Sequence, residues 1–199
     1  MWDTWLFPWE GRFHLFYLEY PGKIGHAVSG DLLHWQTLET VLLKGPAGSW
    51  NRGGTPLTGT VVRHEGRFYM FAGSSMPPGV QVIGVFVSDD LEHWEAHPGN
   101  PVLTPRGPHY LACPQPGDPF PADWRDPCIV RDEDGLYHGY LCARLPEWSH
   151  EHTGATVAHV VSRDLLSWEC LPPIASPGDR LRHAEIPDLF RIGDRYYLF

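Results

Sequence analysis

Gly66-Arg67-Phe68-Tyr69-Met70-Phe71 is the stretch from which the fold can be read. Aromatic and long apolar side chains follow a His64-Glu65-Gly66 turn signal, and together they read as one hairpin of antiparallel strands. The same shape returns as Gly11-Arg12-Phe13-His14-Leu15-Phe16, Gly135-Leu136-Tyr137-His138-Gly139-Tyr140 and Asp194-Arg195-Tyr196-Tyr197-Leu198-Phe199. Thr60-Val61-Val62-Arg63, Phe68-Tyr69-Met70-Phe71-Ala72 and Val82-Ile83-Gly84-Val85-Phe86-Val87 are short β-branched or aromatic runs. Gly, Pro, Asn and Asp clusters bound them, and Asp132-Glu133-Asp134-Gly135 reads as another hairpin turn. No window holds a helical period over a dozen residues.

A second motif interleaves with the first. Val28-Ser29-Gly30-Asp31-Leu32-Leu33-His34-Trp35, Val87-Ser88-Asp89-Asp90-Leu91-Glu92-His93-Trp94 and Val161-Ser162-Arg163-Asp164-Leu165-Leu166-Ser167-Trp168 share the pattern V-S-x-D-L-x-x-W. Its recurrence in successive units makes it a marker of the fold: the Asp caps a turn and the Trp packs between units. Repeats of this size point to propellers or solenoids. Four antiparallel strands per unit make a propeller blade, so the fold expected is all-β, a β-propeller. The blades fall at about 1–52, 53–118, 119–180 and 181–199, with the fourth stopping inside its second strand. A ring needs about four to eight complete blades, so the expectation is a C-terminally shortened fragment with open edges.

Composition narrows the function. The 199 residues carry a formal net charge of −9 and 42% hydrophobic residues, as a soluble globular domain does. Nucleic acid attracts a basic stripe, and none is present, so no nucleic-acid partner is expected. No run reaches transmembrane length, so no membrane partner is expected. The four cysteines, Cys113, Cys128, Cys142 and Cys170, form no C-x-x-C pair. They read as free thiols, with no metal site and no cofactor. The start of the chain has neither a basic n-region nor an apolar h-region, and a cytoplasmic location is the expectation. Nine Trp and 13% aromatic residues suit a β core or a sugar-stacking cleft equally well.

Counting back eight or nine residues from the four strand heads reaches Asp3, Thr58, Asp126 and Glu185. One register of a repeated unit thus holds three carboxyl groups. Around a common axis they converge, and converging carboxyls are the working parts of a glycosidase. Glu185 has a competitor in Asp188, and strand alternation sends the two to opposite faces. Trp2, Trp5 and Trp124 are candidate sugar-stacking residues, and Thr58 and Arg125 complete the candidate substrate-binding set. The partner expected is a small-molecule or oligosaccharide substrate. Oligomeric state is left open by the sequence.

The run from Asp3 through Gly11-Arg12-Phe13-His14-Leu15-Phe16-Tyr17 to Asp31-Leu32-Leu33-His34-Trp35 resembles the opening of glycoside hydrolase family 32, the invertases and fructanases. Arg125-Asp126-Pro127 matches that family's R-D-P motif. Glu185-Ile186-Pro187-Asp188-Leu189-Phe190 is similar to its E-C-P-D-L-F motif, with Ile186 in place of Cys. Thr58-Gly59-Thr60 resembles its S-G-S segment. The resemblance implies a five-bladed propeller that hydrolyses a fructofuranoside with retention. By the same resemblance Asp3 is the nucleophile, Asp126 the acid that binds sugar hydroxyls, and Glu185 the general acid/base. Burial and neighbouring carboxylates are then expected to raise the pKa of Glu185.

Asp3 is followed by Thr4-Trp5, where the family has Pro-Asn-Gly. Three alternatives therefore stand beside the first reading. Family 43 shares the propeller and three equivalent acids but inverts configuration on arabinosides and xylosides, with Asp3 as a general base. A propeller that binds carbohydrate without cleaving it is the second. A glycoside phosphorylase is the third, with Arg180, Arg182 and His183 near Glu185 as its phosphate site.

Overall fold

The computed structural model describes every residue except 44, 47, 53–55, 77–78, 114–121, 147–153 and 177–180, and the side chains of Leu43 and Met76. The described residues form antiparallel sheets that follow one another along the chain. The first contains β1 (Trp2–Trp9), β2 (Arg12–Glu19), β3 (Lys23–Ser29) and β4 (Gln36–Thr37), with β5 (Leu42–Leu43) also paired to β3. The second is β6 (Gly59–His64), β7 (Arg67–Met76), β8 (Val80–Ser88) and β9 (Glu95–Ala96). The third is β10 (Trp124–Arg131), β11 (Tyr137–Arg144), β12 (Ala155–Ser162) and β13 (Glu169–Ala175). A hairpin of β14 (Leu189–Ile192) and β15 (Arg195–Leu198) begins a fourth. These are the up-and-down blades expected from the repeat.

The tight turns follow from their residues. Glu10-Gly11 and Glu65-Gly66 link Trp9 to Arg12 and His64 to Arg67, and all four turn residues have positive φ. Such turns match the right-handed twist of the strands they join. The V-S-x-D-L-x-x-W turn closes the same way three times. In the second sheet the Leu91 N–H donates to Ser88 Oγ at 2.9 Å. The Glu92 and His93 N–H groups both donate to Asp90 Oδ1 at 2.8 Å, and Trp94 Nε1–H donates to the Leu91 carbonyl at 3.0 Å. The central leucines, Leu32, Leu91 and Leu165, adopt φ of 64°, 68° and 65°. A branched residue there is strained, and the hydrogen bonds of Ser and Asp hold it.

The core lies between consecutive sheets. Trp5, Phe16 and Leu18 of the first pack on Val61, Phe68, Met70 and Phe86 of the second. Phe71, Ile83 and Val85 of the second pack on Trp124, Ile129, Tyr137 and Leu141 of the third. The second and third motif tryptophans lean on a Phe of the preceding sheet, Trp94 on Phe16 at 6.0 Å and Trp168 on Phe71 at 5.8 Å between ring centroids. Trp35 makes the same turn hydrogen bond but is 37% exposed. Gly59 leaves room for the neighbouring sheet: a Cβ there would fall 2.4 Å from the Phe71 carbonyl of its own sheet and 3.1 Å from the Trp5 ring of the first. The inner strands β1, β6 and β10 are thereby brought side by side, β6 touching both neighbours.

Asp90 shows what the turn is worth. Burial would raise its pKa, but the backbone and side-chain hydrogen bonds from His93 and Glu92 hold it well below the usual carboxylate range. Asp90→Ala removes this cap and is expected to destabilise the chain by about 1 kcal/mol, read as a lower denaturant midpoint. The folded spectrum in water should be retained.

Candidate active site

Backbone register decides which side chains meet at the inner strands. Trp5 pairs with Phe16 and Cys128 pairs with Tyr140. Phe16 and Tyr140 are equivalent, because each stacks on a histidine of the next strand, His26 at 4.5 Å and His159 at 5.1 Å. Counting back from those pairs places Asp3 and Asp126 at the same position. Both lie where the register slips, with φ of 39° and 56°. A bulge with a left-handed residue breaks alternation and re-aims one side chain. In the second sheet Gly59 pairs with Ala72 without a slip, and Thr58 precedes it.

Glu185 does not share this position, which corrects the single register expected from sequence. Asp188 exchanges backbone hydrogen bonds with Phe199, and Leu189 pairs with Leu198. The position of Asp3 and Asp126 therefore falls on Ile186, whose φ is 51°. Glu185 stands one residue earlier, level with Trp2 and Arg125. The miscount arises in the turns. The third sheet's hairpin runs from Arg131 to Tyr137 through a longer turn, whereas Ile192 pairs with Arg195 across two residues. An offset absorbed by the turn in one unit displaces the acid in the other.

The acids meet nonetheless. Arg125 Nη2–H donates to Glu185 Oε1 at 2.5 Å, and its Nε lies 3.4 Å from Asp126 Oδ2. The Ile186 N–H donates to Asp126 Oδ2 at 3.3 Å. Thr58 Oγ1–H donates to Asp3 Oδ2 at 2.7 Å, so the hydroxyl in the second unit orients the carboxylate of the first. Burial pushes Asp126 up to about 6. The Glu185 and Asp3 carboxylates add to the rise, against the pull of Arg125 and the Ile186 N–H. The sequence reading expected burial to act on Glu185. The structure gives the buried setting to Asp126, while the Glu185 side chain is 55% exposed.

Two of the three tryptophans proposed as sugar platforms are structural. Trp124 is 0% exposed and packs 5.2 Å from the Tyr110 ring, inside the core between the second and third sheets. Trp5 is 9% exposed, stacked on Phe16 and covering Gly59. Neither offers a ring face to a ligand. Trp2, beside Asp3, is 43% exposed and does.

Sequence reasoning passed over a buried layer beneath the acids. Asp123 is fully buried and pairs with Arg125 Nη1, with Arg144 Nε at 2.6 Å and with His183 Nδ1 at 2.9 Å. Gln81 Oε1 accepts from Arg125 Nη1 and from the Trp124 N–H, both at 3.0 Å. Asp123 lies two residues before Arg125, the alternation partner on a strand, which is the signal that would have found it. Gln81 carried no such signal. His183, proposed for a phosphate site, faces Asp123 instead, and Arg180 lies outside the described residues. The segment bearing Glu185 is further held by sulfur. The Leu189 N–H donates to Cys128 Sγ at 3.4 Å, and the Ala184 N–H donates to Cys142. All four cysteines are free thiols, as expected.

A protein-family model described as glycosyl hydrolases family 32, N-terminal domain, matches residues 5–198. The chain belongs to glycoside hydrolase family 32. Among family relatives, the rice protein "Beta-fructofuranosidase, insoluble isoenzyme 7" is 30% identical over 94% of this chain and 31% of its own length. "Levanase" of Bacillus sp. (strain L7) is 32% identical over 62% of this chain and 14% of its own. Fructan 1-exohydrolase IIa from Cichorium intybus superposes with a TM-score of 0.75 at 20% identity, covering 94% of this chain and 34% of that one. A variant of the Bombyx mori GH32 beta-fructofuranosidase BmSUC1 in complex with sucrose superposes at 0.74 with 24% identity, covering 96% and 39%. These superpositions establish the β-propeller fold of the family 32 chain. It spans about a third or less of the length of these curated relatives.

Asp126 makes a pH-dependent prediction. Its folded pKa of about 6 lies above the ordinary carboxylate value. Burying its charge therefore costs about 3 kcal/mol above pH 6, and the cost vanishes as both states take up the proton near pH 4. Asp126→Asn is expected to raise the melting temperature at pH 8, with the gain shrinking toward pH 5. An equal gain at both pH values would contradict the raised pKa.

Proposed function

We propose that this family 32 chain carries the catalytic acids of a retaining glycosidase acting on fructofuranosides of the sucrose and fructan type. The observation that carries the reading is the meeting of Asp126 and Glu185 on one guanidinium, with the Asp3 carboxylate near enough to act on Asp126 and with Asp3 and Asp126 aimed by equivalent bulges. The named activities of the family relatives support it. Asp3, oriented by Thr58, attacks the anomeric carbon while Glu185 gives its proton to the leaving oxygen. The glycosyl–Asp3 ester is then hydrolysed by a water that gives its proton back to Glu185. Asp126 accepts hydrogen bonds from sugar hydroxyls, and its negative charge favours an oxocarbenium-like transition state. Arg125 donates to the same hydroxyls, and Trp2 stacks on the sugar.

The protein is expected to release fructose from sucrose or short fructans. Asp3→Asn and Glu185→Gln should each lower kcat by about 10²–10⁴-fold, with circular dichroism spectra like the parent's. NMR of the anomer formed first should show retained configuration. An inverted product would move Asp3 to the role of general base, and binding of sucrose without turnover would make the chain a carbohydrate-binding propeller.

A further inference from the structure

Asp123 takes no part in the reaction just described, yet the fold spends much on it. A fully buried carboxylate survives only when well paired, and Asp123 has Arg125, Arg144 and His183 around it. We propose that Asp123 is a positioning residue that sets where the Glu185 carboxyl stands, through Arg125 and His183. The proposal rests on the reading of Glu185 as general acid/base.

Arg125 is the first link. A guanidinium is a rigid planar fork. With Nη1 held by Asp123 and Gln81, the direction of Nη2 is fixed, and Nη2 holds Glu185 Oε1. His183 is the second link. It lies two residues before Glu185, in a stretch without strand pairing, and its Nδ1 sits between Asp123 Oδ2 at 2.9 Å and Arg144 Nη2 at 3.1 Å. Both ends of the Glu185 approach are thus tied to one buried carboxylate.

Charge is the second effect of Asp123. The charged and titratable groups of the cluster are Asp123 just before β10, Arg125 and Asp126 from β10, Cys142 and Arg144 from β11, and Asp3 from β1, with His183 beside Glu185. A general acid must carry a proton, and an adjacent guanidinium opposes that. The negative charge of Asp123 offsets Arg125 and Arg144. Without it, both cations would favour the ionised form of Glu185.

The test is an NMR titration of the chain labelled with ¹³C at its Glu side-chain carboxyls, the Glu185 signal being assigned by its loss in Glu185→Gln. In Asp123→Asn the Glu185 midpoint should fall by on the order of one pH unit. In the hydrolysis assay kcat should drop about 100-fold from misplacement, with KM within about three-fold and the high-pH limb moved to lower pH. An unchanged Glu185 midpoint overturns the proposal, as does a loss of activity confined to KM. If Asp123→Asn does not fold, the same titration is made on Asp123→Asn combined with Arg144→Gln. That variant removes the buried charge pair together and still unties Arg125, and a downward shift smaller than that of Asp123→Asn is expected, because Arg125 alone is left uncompensated; an unchanged midpoint overturns the proposal here too. Should the parent hydrolyse no fructoside, the proposed function fails while the titration still decides the role of Asp123.

Discussion

Carboxylates repel, and at the inner strands Asp3, Asp123, Asp126 and Glu185 crowd together. Arg125 makes this possible. Its two terminal nitrogens reach Asp123 and Glu185, and its Nε lies near Asp126. Arg144 stands behind it on Asp123. Asp123 and the β10 residues Arg125 and Asp126 therefore act as one electrostatic unit, and the first and fourth units bring the remaining acids to it. One guanidinium serves three carboxylates, and burial, helped by the charges of Glu185 and Asp3, keeps the proton affinity of Asp126 high.

The packing between sheets supplies the geometry that charge alone cannot. Trp5 lying over Gly59 sets how close the first and second units approach, and that approach puts Thr58 Oγ1 on Asp3. Trp124 does the same service for the third unit. It fills the space between sheets while its neighbour Arg125 enters the site. The tryptophans flanking the acids are thus divided between building the wall and facing the ligand, and only Trp2 faces out.

Much of this was legible from the chain. Aromatic strands, turn residues and the V-S-x-D-L-x-x-W corner all obey local rules, so the blades and their order followed from pattern. Asp3 and Asp126 were legible because a bulge recurs at the same place. The exact place of Glu185 was not, because a longer turn in one unit and a shifted acid in another give the same residue count. The burial of Trp5 and Trp124 was hidden as well. Composition does not distinguish a ring packed between sheets from one open to a sugar. Gln81 and the pairing of Asp123 with Arg144 depend on contacts across strands and sheets, which no local pattern records.

The corner motif has a consequence of another kind. Its hydrogen bonds are made within eight residues, from neighbouring backbone N–H groups to the Ser and Asp side chains and from Trp to the Leu carbonyl. A gene segment encoding one unit therefore brings a self-sufficient corner wherever it is copied. Only the indole face depends on what stands before it: Trp94 and Trp168 find a Phe there, and Trp35 is left more open. Duplication of such a unit lengthens the array without new corners having to evolve, while chemistry is free to diverge at the head of the inner strand, where one unit has a threonine and its neighbours have acids.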